Sequence, residues 1–178
     1  MNLGIDANSL LRLSLVRITI ALLSILILIC YTTLPINAQN SAEEYYDSGV
    51  ENVNSGDYEG AIKEFDKAIE INPKFAETYN VRGTAKAKLS DWKGAIEDYN
   101  KAIEINPEYA EAYNNRGLAK RKLGDKTGAL KDYNKAIKIN PKLAEAYYNR
   151  GVAKLGLGQK YSGCLDLSRA RELGYFKA

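Results

Sequence analysis

No histidine occurs anywhere in the chain, which removes the commonest general base and the commonest metal ligand together. Cysteine is nearly absent too: Cys30 and Cys164 alone cannot build a zinc cage or a disulfide framework. No nucleophile and base pair, phosphate-binding loop or metal-ligand spacing is found. Neither a catalytic residue nor a cofactor is therefore expected, and an enzyme is the reading least supported. Proline is scarce, with four in 178 residues, whereas apolar residues make up 46% and charged residues 26%. That balance fits an ordered chain of about one domain rather than a disordered one.

The first 38 residues differ in kind from the rest. Arg12 and Arg17 precede an uncharged apolar run from Ile18 to Cys30, and Pro35 and Ala38 follow it. A basic flank, a 7 to 15 residue apolar stretch and a small residue at the cleavage point are the parts of an export signal. Cleavage before Gln39 is expected, giving a periplasmic or extracellular protein. The alternative keeps the segment as a membrane anchor; Ile18 to Leu34 would span about 26 Å of a ~30 Å hydrocarbon core. In both cases the arginines stay cytoplasmic and the remainder is expected on the far side.

Beyond that segment the sequence repeats itself. Pro73, Pro107 and Pro141 are spaced by 34 residues, as are Tyr45, Tyr79, Tyr113 and Tyr147, then Gly49, Gly83, Gly117 and Gly151, then Ala68, Ala102, Ala136 and Ala170. Each unit carries two helical patterns separated by a short turn. In the second unit these are residues 76–89 and 92–105, with Asp91 placed to cap the second helix; Asp57 and Asp125 repeat the role. Gly83 and Ala95 are small where the two helices approach. Tyr79, Ile96, Tyr99, Ala102 and Ile103 are expected to fill the space between hairpins. Asn-Pro stops each second helix, because proline disfavours helical geometry in the residue before it.

With these registers the sequence resembles the tetratricopeptide repeat family, whose 34-residue unit is a pair of antiparallel helices. The resemblance implies an all-α, right-handed superhelical solenoid of about four hairpins, with repeats at 42–75, 76–109, 110–143 and 144–177, behind an N-terminal hydrophobic helix. A domain at 39–178 follows residues 1–38. Ser41-Ala42-Glu43-Glu44 reads as a capping box opening the first helix. Arg171 stands where Ile69, Ile103 and Ile137 stand in the earlier units, so no fifth unit is expected there and residues 160–172 form the closing helix.

The resemblance also implies a protein or peptide partner in the concave groove, which the first helix of each unit lines. The corresponding residues are Tyr46, Asp47 and Val50; Asn80, Val81, Thr84 and Lys88; Asn114, Asn115, Leu118, Arg121 and Lys122; and Tyr148, Asn149, Val152 and Leu155. Amides there can bond a peptide backbone and tyrosines offer rigid contact area. The expected role is an adaptor or scaffold; the alternative is a self-associating or membrane-tethered part of the cell envelope. One known family groove, a clamp for C-terminal carboxylates, is not matched: Glu111 and Glu145 fall where lysine is needed.

Three further features have a packing reading. Arg82, Arg116 and Arg150 are expected to pair with Asp98, Asp132 and Asp166 within the array, with Glu64 the corresponding acid of the first unit. Cys164 aligns with Ile62, Ile96 and Leu130 and is expected to be buried. Charge is lopsided: residues 39–81 hold ten acids against Lys63, Lys67 and Lys74, whereas residues 82–178 hold twenty basic and eleven acidic residues. An acidic partner, an anionic membrane or head-to-tail self-association could each use it, and solvated helix faces are the plain alternative. Nucleic acid is not expected, since the basic cluster around Lys120, Arg121 and Lys122 is local.

Overall fold

A computed structural model describes residues 41–176. The export segment, its cleavage point and the N-terminal hydrophobic helix lie outside them. Among the described residues no helix is long and apolar enough to cross a membrane.

Eight helices and no strand occur in this part of the chain. They are α1 (residues 41–55), α2 (Tyr58–Ile71), α3 (Ala76–Lys88), α4 (Trp92–Ile105), α5 (Ala110–Lys122), α6 (Lys126–Ile139), α7 (Ala144–Leu155) and α8 (Lys160–Glu172). Each helix packs mainly on its sequence neighbours, α3 on α4, α5 on α6, α7 on α8, and α4 on α5 between hairpins. Contacts run down the array as in a solenoid, where stability is a sum of hairpin and junction contributions.

Local chemistry sets the boundaries. Asp57, Asp91 and Asp125 each accept a hydrogen bond from the backbone N–H three residues on, at 2.9, 3.0 and 2.8 Å, which satisfies one orphan donor at the start of α2, α4 and α6. Gln159 makes no such cap for α8. At the other end Asn72, Asn106 and Asn140 accept from the N–H of residues 74, 108 and 142 through their side-chain oxygens, at 3.2, 3.1 and 3.0 Å. An Asx turn thus straddles each proline, which has no N–H to offer. Ser41 is the first described residue and lies in α1; the start of that helix adjoins residues outside the described range.

The close approach within a hairpin is made by glycine. A Cβ at Gly83 would lie 2.8 Å from Tyr99 Cε1 and 3.1 Å from the Ala95 carbonyl oxygen; Gly117 stands in the same relation to Tyr133 and Ala129. Phe65, Tyr99 and Tyr133 are thereby sealed beneath the glycines and buried, each at the centre of a cluster that takes its third side from the next hairpin, through Ala85, Ala119 and Ala153. Burying such a ring stabilises by roughly 1.5 to 3 kcal/mol. No hairpin completes its cluster alone.

Cys164 is exposed, contrary to its alignment with Ile62, Ile96 and Leu130. Those residues are half-buried because a further hairpin packs over them. Nothing in the described chain follows α8 to cover Cys164.

Candidate functional site

Two periodic polar systems run through the junctions. In the first, the Arg82 guanidinium donates to both oxygens of Asp98 at 3.0 and 2.5 Å, Arg116 to both of Asp132 at 2.9 and 2.6 Å, and Arg150 to both of Asp166 at 2.8 and 2.6 Å. The pairing is the one expected from the repeat pattern, and the paired acids prove to be buried. A second cation completes each cluster, Lys86, Lys120 and Lys154 lying 2.9, 2.8 and 2.8 Å from the same carboxylates. Each arginine also reaches back to the preceding hairpin, to Asp66, Asn100 or Asn134. Burial acts on the Asp166 carboxyl to raise its pKa, but its bonds from Arg150 and Lys154 outweigh this and hold it below the usual value. For Arg82 burial acts to lower the pKa, and Asp98 and Asp66 turn the net effect upward. Glu64, half-buried, pairs instead with the exposed Lys67, at 2.8 Å.

In the second system the groove asparagines bond one another. Asn115 Nδ2 donates to Asn80 Oδ1 and Asn149 Nδ2 to Asn114 Oδ1, both at 3.0 Å, while Asn80 Nδ2 donates to Tyr109 Oη at 3.3 Å. Asn80, Asn114 and Asn149 are buried, at 7, 1 and 4% exposure. This corrects their expected presentation to a ligand: their amides are spent on holding neighbouring first helices in register.

The other groove positions divide by location. Tyr46 is half-buried between Phe65 and Phe75, with ring centroids 6.1 and 5.0 Å away, and Val50 and Val81 pack on the same cluster. Burial raises the Tyr46 pKa, helped by Glu77 and Asp47. Tyr148 stacks on Tyr175 at 5.0 Å, so Tyr175 closes the last hairpin as Phe75 closes the first. Val152 is half-buried, Leu155 is partly exposed, and Asp47, Lys88 and Lys122 are exposed.

Thr84, Asn115, Leu118 and Lys88 do come together. With Ala87, Trp92, Tyr99 and Glu145 they line a cleft of about 370 Å³ formed by α3, α4, α5 and α7. Its apolar part is Trp92, Leu118 and Ala87, with the ring of Tyr99 beneath; Lys122 Nζ lies 5.6 Å from the Trp92 ring. Thr84 Oγ1 is 3.3 Å from Tyr99 Oη. One repeat on, Leu118 replaces Thr84, and Tyr133 Oη has no hydrogen-bond partner; nor does Arg121 Nε. Burial pushes the phenols of Tyr99 and Tyr133 up to about 12, and that of Tyr109 likewise. Sequence reasoning missed Trp92 as a groove residue because it opens a second helix, although it is the only tryptophan in the chain. A larger hollow of about 500 Å³, lined by Pro73, Lys74, Tyr79, Lys101, Glu104 and Ile105, includes none of the expected groove residues.

The TPR repeat family matches residues 52–90, 83–124 and 117–158. The chain belongs to the TPR repeat family. Among curated relatives, the uncharacterized protein MJ0572 of Methanocaldococcus jannaschii is 50% identical over 38 residues, 21% of this chain, and that match spans 44% of the relative's length. Among solved structures, MamA is 27% identical with a TM-score of 0.69, over 80% of this chain and 84% of MamA. The first TPR domain of Spaghetti (RPAP3), solved bound to the HSP90 peptide SRMEEVD, is 26% identical with a TM-score of 0.66, over 67% of this chain and 95% of that domain. The TPR repeats and these neighbours support a protein–protein interaction module, with a protein or peptide as partner. TPR proteins are generally non-enzymatic modules of this kind.

Proposed function

We propose that this TPR protein is an exported adaptor whose cleft between α3, α5 and α7 grips an extended segment of a partner protein, one that sets an aromatic or aliphatic side chain beside acidic ones. The observation that carries this is the cleft's pairing of an apolar floor, Trp92 and Leu118, with the cations Lys88 and Lys122 at its margin. A flat aromatic and a desolvated aliphatic supply contact area at low entropic cost, and exposed lysines steer an acidic chain toward it. The peptide named with Spaghetti is acidic, in keeping with this ligand class. A C-terminal carboxylate is not the determinant in this chain, since Glu111 and Glu145 occupy the lysine places of a carboxylate clamp. Of the remaining expected groove residues, Tyr46, Val50, Tyr148 and Val152 extend the contact surface toward the two ends.

The lone tryptophan makes the test direct. Titration with a synthetic peptide Ser-Glu-Asp-Phe-Glu-Asp-Ser is expected to shift Trp92 emission, and Leu118→Asp or Lys122→Glu to weaken the response at least tenfold. An unchanged spectrum, or equal binding of the peptide with lysine in place of every acid, refutes the groove reading. Export is tested separately: the mature N-terminus read by mass spectrometry should begin at Gln39, or at Met1 if the segment is retained as an anchor. A TPR domain degraded only by cytoplasmic protease would overturn both.

A further inference from the structure

The first and last helices of the array are complementary to each other. In every inner junction the third, sixth and tenth positions of a hairpin's first helix face the preceding hairpin. Ala112 lies in one cluster with Ala102 and Ile103, Asn115 bonds Asn80, and Ala119 closes the cluster of Ala95 and Tyr99. In α1 the same three positions are Glu44, Asp47 and Glu51, all exposed. The helix that opens the array therefore turns an acidic stripe toward the place where a preceding hairpin would stand.

At the far end α8 presents Cys164, Leu167, Ser168 and Arg171, which line a shallow hollow of about 340 Å³. Lys160 is exposed at the start of the same helix. We propose that α1 of a second copy of this chain seats on α8 as the first helix of a fifth hairpin, so that copies join head to tail.

The repeat register states which residues would meet. Arg171 holds the place of Ile103, which packs with Ala112; the residue of α1 at the Ala112 position is Glu44. Ile69, another residue at the Arg171 position, packs against Tyr79, whose counterpart in α1 is Tyr45. Arg171 thus receives a carboxylate and an aromatic face together. Lys160 holds the place of Lys126, whose Nζ donates to the Gly156 carbonyl of the next hairpin at 3.2 Å; from α8 the same reach arrives one turn from Glu51. Leu167 is smaller than Tyr133 at the same register, where the inner junction takes Ala153, and Glu51 holds that alanine's position in α1. Arg171 bars an apolar fifth hairpin but suits this acidic one. The whole-chain imbalance, ten acids against three lysines over residues 39–81 and twenty basic against eleven acidic residues beyond, orients the approach in the same sense. A heterologous contact of this type does not close, so it produces a ladder of oligomers rather than a fixed dimer.

The test uses the full chain in a non-ionic detergent, followed by sedimentation velocity. Wild-type protein at ~0.1 M salt is expected to show a sedimenting mass that climbs with concentration past twice that of the monomer, and to return to monomer at ~1 M salt, where the screening length falls from about 10 to about 3 Å. Two charge-reversed variants, Glu44→Lys with Glu51→Lys, and Lys160→Glu with Arg171→Glu, should each be monomeric at low salt. An equimolar mixture of the two should associate again, because each end then finds an opposite charge. Unchanged helical circular dichroism checks that both variants fold. A wild-type monomer at every concentration, association surviving in either variant alone, or a mixture that stays monomeric would each overturn the proposal. None of these outcomes touches the cleft reading, which Trp92 reports independently.

Discussion

Helices α4 and α8 hold the same place in the second and fourth hairpins, yet they meet different surroundings. Along α4, Ala95 and Tyr99 are sealed at 0 and 2% exposure, with Ala119 of the next hairpin completing their cluster. Along α8, Leu167 takes the place of the tyrosine, Gly163 that of the alanine, and Cys164 and Arg171 stand open to solvent. In a solenoid a helix does not decide its own burial; the following hairpin does. The inner second helices accordingly carry buried rings, whereas α8 carries Leu167 at that register and Arg171 where the others have isoleucine. Asp166 stays buried as its inner counterparts do, because its partners Arg150 and Lys154 come from its own hairpin.

The largest effect expected from this contrast is at the buried charge clusters. Asp132→Ala leaves the Arg116 guanidinium and the Lys120 ammonium, whose side chains are 17 and 25% exposed, facing no carboxylate. Breaking a buried pair by removing one partner costs about 3 to 5 kcal/mol. Glu64→Ala, which removes the partner of the exposed Lys67, should cost less than about 1 kcal/mol, since that ammonium stays hydrated. Urea unfolding of the two variants measures the difference, and equal losses would mean that the inner cluster is no better shielded than the surface pair.

Much of that inner cluster was legible beforehand. The sixteen-residue interval from Arg82 to Asp98, Arg116 to Asp132 and Arg150 to Asp166 falls within one repeat and recurs with it. The aspartate caps and the glycine-on-ring contacts are equally local, and the 34-residue period exposes them. The asparagine bonds were not legible because they join residues 35 apart, the sixth position of one unit to the fifth of the unit before. Stacking a 34-residue repeat on itself never sets those two positions side by side. Asn80, Asn114 and Asn149 therefore looked like open ligand groups. Cys164 misled for a related reason: alignment carries over residue type but not the neighbour that does the burying. Trp92 went unnoticed since the family's groove is assigned to first helices alone.

Alkaline titration probes the inner rings. Tyr99 and Tyr133 have folded pKa values pushed up to about 12, above the ordinary value near 10, so the folded state holds their protons more tightly than the unfolded state. That contribution is fully present below pH 10 and is lost as pH rises through 12, at most about 3 kcal/mol for each ring. The melting temperature should fall over this window together with the rise of phenolate absorbance. A Tyr99→Phe, Tyr133→Phe double variant should lose most of that dependence. If its alkaline fall matches that of the wild type, the buried phenols are not its source.

Glycine substitutions sharpen the same comparison at smaller cost. A Cβ at Gly117 would lie 2.7 Å from Tyr133 Cε1 and 3.2 Å from the Ala129 carbonyl, so Gly117→Ala forces the ring or the helix aside for about 1 to 3 kcal/mol. Gly156, at the end of α7, has helical backbone angles and its nearest atoms at 3.5 and 3.6 Å. Gly156→Ala should be neutral or stabilising by up to about 1 kcal/mol, because alanine restricts only the unfolded chain. Thermal denaturation decides between the two signs.

The finest distinction lies between two rings in equivalent hairpins. Tyr99 Oη has Thr84 Oγ1 at 3.3 Å, whereas Tyr133 Oη, in the hairpin where Leu118 holds the register of Thr84, has no hydrogen-bond partner. Arg121 works against the burial-driven rise in the Tyr133 pKa by approaching the hydroxyl, but no donor or acceptor meets that hydroxyl in good hydrogen-bond geometry. Tyr99→Phe should therefore cost about 0.5 to 1.5 kcal/mol, while Tyr133→Phe, which deletes an unsatisfied buried hydroxyl, should be neutral or stabilising. Leu118→Thr in the wild-type background offers Tyr133 the partner that Tyr99 already has, and Tyr133→Phe introduced after it should then become costly. Equal losses for the two phenylalanine variants in the original background would show that the Thr84 hydroxyl contributes nothing measurable to the second hairpin.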